Sequence, residues 1–377
     1  MKILLTTGIF APEAGGPATY ALKVSKKLTN LGHQVKVITY SKKKKYDFDD
    51  VLPYSVIRIK RGNKLLNYYR YLREILKNIS GFDLIYSFDY FSAGIPSLLV
   101  AKIYGKKLVI RMGGDLIWER YLEKRNKGVT LVDFYKNKLY KINWLKFLIA
   151  KIVLKHADLL IFTTKFQAKL FIDHYKINDK KIRYINNPMP DKVIKEFSKE
   201  TDRINKDIIW AGRMVAKNNL IRLIRVFCSL KLKQKNYRLI LIGEGPLKKI
   251  LQEIIKNKNC PEIIIKDTMA NSTLVKRIAN SYAVIFPSYT DISPNLVLEC
   301  LSVRTPFILT KEHGFDWLKH SAIEFNPKDD KDLKSAIIKI LDKDFYNEYK
   351  NNLSKINYTY SFRQATKDTI RLFKEIL

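Results

Sequence analysis

Short apolar runs alternate along this chain with longer stretches in which apolar residues recur every three or four positions. "KILLTT" (Lys2 to Thr7) reads as a buried strand, Pro17 to Leu31 as a helix, and "QVKVITY" (Gln34 to Tyr40) as the next strand. "DLIYSF" (Asp83 to Phe88), "KLVIRM" (Lys107 to Met112), "DLLIFTT" (Asp158 to Thr164) and "KIRYI" (Lys181 to Ile185) continue the series. Strands that are apolar throughout, with helices between them, predict a parallel sheet covered on both faces.

The pattern pauses at Asn186 to Lys206, a polar stretch with two prolines, and then restarts. "DIIWAG" (Asp207 to Gly212), "YRLILIG" (Tyr237 to Gly243), "EIIIK" (Glu262 to Lys266), "AVIFP" (Ala283 to Pro287) and "PFILT" (Pro306 to Thr310) are the strands of a second series. The expectation is an α/β protein of two Rossmann-like, doubly wound domains facing across a cleft: residues 1–187, a linker at 188–206, residues 207–355, and a closing helical segment at 356–377. Ligands of such sheets bind beyond the carboxyl ends of the strands.

Composition narrows the class. A chain of 377 residues with 46% hydrophobic residues fills two cores, which excludes a disordered protein. The formal charge of +34 draws the chain towards polyanions: nucleic acid, acidic lipid headgroups or phosphorylated substrates. Cys228, Cys260 and Cys300 are isolated, without CxxC spacing, so neither a disulfide scaffold nor a thiolate metal site is expected. The opening apolar run is too short for a secretory signal. The longest apolar region, Trp144 to Phe162, is interrupted by Lys146, Lys151, Lys155, His156 and Asp158, so a cytoplasmic location without a membrane span is the expectation.

Chemistry concentrates in the turns. Gly15 and Gly16, before Pro17, allow close backbone approach at a helix start whose amides suit an anion or sugar oxygens. In "IIWAGRMVAKNNLIRL" a strand ends at Gly212, Arg213 follows, and Lys217 precedes a helix opening near Asn218 or Asn219. A guanidinium fork and an adaptable ammonium there suit one polyphosphate. A second glycine turn, "LIGEGPL" with Gly243, lines the same region; its Glu244 would repel phosphate and is read as lying nearer a base or the rim. In "FPSYTDISPNLVLEC", Asp291 lies on a turn and Glu299, eight positions on, in the following helix, so both carboxylates can face one ligand with hydroxyl groups.

With "GGPATY", "AGRMVAKNN", "LIGEGPL" and "FPSYTDISPNLVLECLSVRTPFI", the chain resembles a retaining glycosyltransferase of family 4, with the GT-B fold, over essentially its full length. The resemblance implies an acceptor-binding first domain, a nucleotide-sugar-binding second domain and a last helix that crosses back to the first. It implies that Arg213 and Lys217 hold the donor diphosphate and that Glu299 takes the ribose hydroxyls. Asp291, with the residues after it, Ile292, Ser293, Asn295 and Leu296, would meet the transferred sugar or its phosphate. The family usually has glutamate at Asp291 and Gly-Phe at Ile292 and Ser293. Many relatives also carry a histidine after the strand that ends near Met112. Here the histidines are His33, His156, His174, His313 and His320, and Asp115 is the nearest polar candidate. Asp115 either reaches the acceptor or sugar or caps the following turn, and Arg111 either pairs with it or aids phosphate binding.

The implied reaction moves a sugar from a nucleoside-diphosphate sugar to a glycan or lipid-linked acceptor, in cell-envelope polysaccharide or glycolipid synthesis. No cofactor is implied, and no metal ligands. The DxD of "YDFDD" (Asp47 and Asp49) follows "KKKK" in a polar segment and reads as a charged loop. "YKNKLYKINWLKFLIAKIVLK" interleaves lysines with aromatic and aliphatic residues. It either rests on an anionic bilayer, making the protein peripheral on the inner face of the cell membrane, or covers the first sheet. Two other functions compete: a nucleotide-sugar epimerase, which needs its own acid/base pair, and a basic nucleic-acid-binding protein. No zinc pattern, RNP-like motif or basic helix-turn-helix supports specific nucleic-acid binding.

Overall fold

The computed structural model describes residues 1–13, 15–125, 128–190, 205–232, 236–318 and 321–377. Most of the 188–206 linker, and His320, lie outside the described residues. The chain forms two compact units.

The first unit takes Met1–Gly114, Lys141–Pro188 and Tyr360–Leu377. It begins β1 (Lys2–Thr7), α1 (Gly16–Asn30), β2 (Gln34–Ser41), β3 (Ser55–Lys60), α2 (Lys64–Asn78), β4 (Leu84–Ser87), α3 (Gly94–Ile103) and β5 (Lys107–Arg111). The chain then leaves for α4 (Leu116–Arg125) and α5 (Leu131–Lys136), which belong to the second unit, and returns as α6 (Trp144–His156), β6 (Leu159–Phe162), α7 (Lys165–Tyr175) and β7 (Ile182–Tyr184). Among the described residues these strands form one parallel sheet, ordered β3-β2-β1-β4-β5-β6-β7. Ile3, Leu4 and Leu5 of β1 are all fully buried, because successive side chains point to opposite faces and both faces are covered. The edge strand β3, "SVIRIK", escaped the pattern reading: its Arg58 breaks the apolar run, yet that side chain is buried and paired with Asp49 at 2.7 Å.

The second unit takes Asp115–Tyr140 and Met189–Thr359. It contains β8 (Asn205–Ala211), α8 (Leu220–Ser229), β9 (Arg238–Ile242), α9 (Lys248–Asn257), β10 (Ile263–Lys266), α10 (Asn271–Ala279), β11 (Ser281–Phe286), α11 (Asn295–Ser302), β12 (Phe307–Thr310), β13 (Ile323–Phe325), α12 (Asp330–Leu341) and α13 (Lys343–Ser354). Among the described residues its parallel sheet is ordered β10-β9-β8-β11-β12-β13. Helix α8 shows why the pattern folds as it does: Leu220, Leu223, Ile224 and Phe227 occupy one stripe and are buried. The sheet order turns back at β8, which lies between β9 and β11, so the loops after β8 and β11 flank a topological switch point.

The last helix, α14 (Phe362–Ile376), is part of the first unit. Its buried residues Phe362, Ala365, Leu372 and Phe373 join that unit's core, with Phe362 5.7 Å from Tyr20 and Phe373 5.1 Å from Tyr86 between ring centroids. The cysteines require a correction. Cys228 and Cys260 are not isolated but joined in a disulfide. The end of α8 and the approach to β10 bring their Cα atoms to 5.9 Å, a separation that sequence spacing does not reveal. Cys300 is free and buried on α11.

Candidate functional site

The loops at the carboxyl edge of the second sheet are tied to one another by backbone bonds. Gly212 N–H donates to Ile242 O at 3.0 Å, Met214 N–H to Glu244 O at 2.8 Å, and Leu247 N–H to Met214 O at 3.1 Å. Gly243 is obligatory there, since a Cβ on it would lie 1.9 Å from Gly212 O, and its φ of 149° is open chiefly to glycine. Arg213 is exposed on this loop. Lys217 follows in a single 3₁₀ turn, Ala216–Asn218, and Asn219 at φ 53° starts α8.

Asn218 joins the β8 loop to the β11 loop. Its side-chain amide donates to Arg213 O at 2.6 Å, and its Oδ1 accepts from Ser288 Oγ at 3.2 Å. Tyr289 N–H donates to Lys217 O at 2.9 Å. Asp291, two residues on, is held by its own backbone: its N–H donates to Glu312 O at 3.0 Å, and its carbonyl accepts from Gly314 N–H at 3.3 Å. Its side-chain Oδ2 is buried without a hydrogen-bond partner among the described residues. Burial pushes the Asp291 carboxyl up to about 6, against the opposing pull of the Lys217 charge. A buried carboxylate with an unfilled acceptor is a place for a ligand hydroxyl.

Lys217 Nζ lies 2.7 Å from Glu119 Oε1, on α4. Burial works against its charge, but the Glu119 carboxylate beside it, with Asp291 adding, raises the ammonium above its ordinary value. Glu299 projects from α11, half-buried, its Oε1 accepting from Asn271 Nδ2 at 2.9 Å. Ile292, Ser293, Asn295 and Leu296 are half-buried at the start of α11, which opens on Pro294 with no side-chain cap. The second unit therefore brings together Arg213, Lys217, Gly243 and Asp291 on adjoining loops, with Glu299 on the helix that follows.

The remaining sequence candidates make other contacts. Gly15 and Gly16 are exposed at the start of α1 in the first unit, with no side-chain cap. Arg111 is buried in that unit, 3.9 Å over the Tyr20 ring, and donates to Ile185 O at 3.2 Å and Asn187 Oδ1 at 3.0 Å. Asp115 has no solvent exposure. Its Oδ1 accepts from the Ile117 and Trp118 amides at 3.0 Å each, its Oδ2 from the Tyr135 hydroxyl, so the capping arrangement is the one present. Burial pushes its carboxyl up to about 6, against those bonds. Glu244 pairs with Lys248 at 2.5 Å. Asp49 of the DxD accepts from Arg58 and caps its own turn, while Asp47 is exposed. Among the described residues no three His, Cys, Asp or Glu side chains are grouped to hold a metal ion.

Sequence reasoning missed Glu119, Asn218 and Glu312. Glu312 accepts from Thr290 Oγ1 at 2.6 Å and from Val132 N–H at 3.0 Å. Asn218 carried a local signal in the "KNN" before α8; Glu119 and Glu312 carried none.

Residues 14–192 match Glycosyltransferase Family 4 and residues 191–359 match Glycosyl transferases group 1. An uncharacterised glycosyltransferase of Methanocaldococcus jannaschii is 30% identical over 188 residues, 48% of this chain; the aligned stretch spans 45% of that relative, under half its length. Sucrose-phosphate synthase of Thermosynechococcus elongatus superposes with a TM-score of 0.77 at 15% identity, over 99% of this chain and 98% of the other. HepE of Anabaena, in complex with UDP and glucose, superposes with a TM-score of 0.75 at 14% identity, over 100% of both chains. The chain is thus related to both glycosyltransferase groups and has the GT-B fold.

Proposed function

We propose that this protein is a retaining glycosyltransferase that moves a sugar from a nucleoside-diphosphate sugar to a glycan or lipid-linked acceptor in cell-envelope polysaccharide or glycolipid synthesis. The observation that carries the reading is the joining of two loops at the switch point of the second sheet. One brings the cations Arg213 and Lys217, the other the half-buried Asp291, whose Oδ2 is enclosed without a partner among the described residues. UDP and glucose in the complex of HepE support a donor of this class.

In this reading the acceptor oxygen bonds to the anomeric carbon as the bond from that carbon to the phosphate oxygen breaks. The electron pair leaves with the nucleoside diphosphate, and the acceptor's proton passes to its departing phosphate oxygen. Arg213 and Lys217 stabilise the charge growing on that leaving group. Asp291 receives a hydroxyl of the transferred sugar, and Glu299 receives the ribose hydroxyls as an acceptor of two hydrogen bonds. Because cations of the protein hold the diphosphate, no metal is assigned to the step.

An anionic membrane is the proposed meeting place with the acceptor, with the protein peripheral on its cytoplasmic face. Helix α6 supports this. Ala150, Val153 and Leu154 cover the first unit's core, while Trp144 (64% exposed), Leu145, Leu148 and Ile152 face outward among Lys146, Lys151 and Lys155. Among the described residues no helix is long and apolar enough to cross a membrane.

The test is incubation with UDP-, GDP- and ADP-sugars together with isolated cell glycans and lipids, followed by mass spectrometry of the products. A mass gain of one sugar on an acceptor is expected. Folded protein that transfers no sugar from any donor, yet interconverts donor epimers, would replace this reading with the epimerase.

A further inference from the structure

A carboxylate in contact with a phosphate-binding ammonium works against the ligand, and Lys217 has one. Glu119 stands 2.7 Å from it, each side chain about one-third exposed at 33% and 30%. The two residues are 98 positions apart, and α4 is brought to the second unit by a dense set of bonds. Asp115 caps its start, the buried Trp118 donates its indole N–H to Val129 O at 2.9 Å, and Tyr135 of α5 closes on Asp115. Helix α5 is anchored in turn. Leu131 N–H donates to Thr290 Oγ1 at 2.8 Å, Val132 N–H to Glu312 Oε1 at 3.0 Å, and Asp133 pairs with Lys328 at 2.5 Å. Thr290 directly precedes Asp291, and Glu312 O accepts the Asp291 amide. The segment that delivers Glu119 to one end of the site is therefore bonded to the loop that carries Asp291 at the other. An ion pair this exposed adds little to stability on its own.

Resting on the nucleotide-sugar reading above, we infer that Glu119 is a positioning residue for the donor. It holds the Lys217 ammonium in place until a diphosphate takes it over, so donor binding exchanges one ion-pair partner for another. The exchange discriminates by ligand size. Inorganic phosphate has only the cations to gain and must still displace Glu119, whereas a nucleoside diphosphate also gains ribose contacts at Glu299. The raised affinity of Lys217 for its proton, due chiefly to Glu119 once burial is offset, is the electrostatic counterpart of this grip.

Calorimetric titration of wild type, Glu119→Gln, Lys217→Ala and the double variant with UDP, GDP, ADP and inorganic phosphate tests the exchange. Freeing the Lys217 ammonium from its carboxylate partner in a partly solvated site should tighten binding of the preferred nucleoside diphosphate about tenfold in Glu119→Gln. The gain should shrink to about twofold or less when Lys217 is already alanine, because the competition is then gone. In turnover, Glu119→Gln should lower KM for the donor without raising kcat. Equal or weaker nucleotide binding by folded Glu119→Gln, the result expected of a bracing residue alone, would overturn the inference. If that variant does not fold, Glu119→Ala takes its place, and equal or weaker nucleotide binding by it overturns the inference equally. Wild-type protein that binds none of the three diphosphates would instead remove the nucleotide-sugar reading, and Glu119's role with it.

Discussion

Replacing Asp291 by asparagine should make this protein more stable and less active. In the fold Asp291 is half-buried, its Oδ2 is enclosed without a partner among the described residues, and its pKa is pushed up to about 6 against an ordinary 3.8. A rise of that size corresponds to about 3 kcal/mol of preference for the protonated form. The sign follows from linkage. A carboxyl with a raised folded pKa contributes stability that is fully present below 3.8 and is lost as the pH rises through about 6. At pH 8 the folded protein therefore carries a buried charge at a cost on the order of 3 kcal/mol. Asparagine removes the charge but brings an amide with needs of its own, so about 1 to 2 kcal/mol should be recovered. For a unit of this size that is a gain in Tm of roughly 2 to 8 °C at pH 8. At pH 4, where the folded Asp291 is largely neutral, the two proteins should melt at nearly the same temperature. Thermal melts from pH 4 to pH 8, beside transfer rates with the matched nucleotide sugar, supply the measurement. A variant that melts lower than wild type at pH 8, with the same dependence on pH, would refute the electrostatic account of Asp291. Full transfer activity would show that the carboxylate takes no part in chemistry.

Arg213→Ala should lower transfer by about 10² to 10³, the loss expected when one strong donor to a developing anion is removed; near-wild-type transfer by the folded variant would sink that assignment. Glu299→Gln should weaken binding of the free nucleoside diphosphate while Asp291→Asn leaves it nearly intact, and calorimetry showing unchanged affinity in Glu299→Gln would remove its ribose role. Replacing Lys146, Lys151 and Lys155 together should reduce sedimentation with anionic vesicles, which wild type should prefer over neutral ones; equal sedimentation with both lipids would reject electrostatic docking. Binding to duplex DNA should show little sequence preference and fall steeply with salt, and sequence-selective binding at physiological salt would favour the nucleic-acid alternative.

Local pattern carried a good part of this protein. Buried strands such as β1 and β9 announce themselves because a parallel strand covered on both faces must be apolar throughout, and α8 because one helical stripe must be. The loop positions of Arg213, Lys217 and Asp291 were readable for a related reason: each follows a strand end by a few residues, where turn chemistry is written in consecutive residues, while Glu299 lies further on in α11. Strand β13, only three residues long, and edge strand β3, with its buried arginine, offered too little pattern to stand out. Everything that depends on two distant segments meeting was left to packing. The spacing of Cys228 and Cys260 does not say that α8 ends beside the approach to β10. The acidity of Glu119 and Lys217's place 98 residues away do not say that α4 crosses to the second unit and closes an ion pair there. Asp115 stands in the sequence as a polar group after two glycines, fit for a ligand or for a cap. Only the arrival of Tyr135 and the burial of Trp118 around it turn its carboxylate inward, because a side chain's environment is set by the neighbours that the completed fold brings to it.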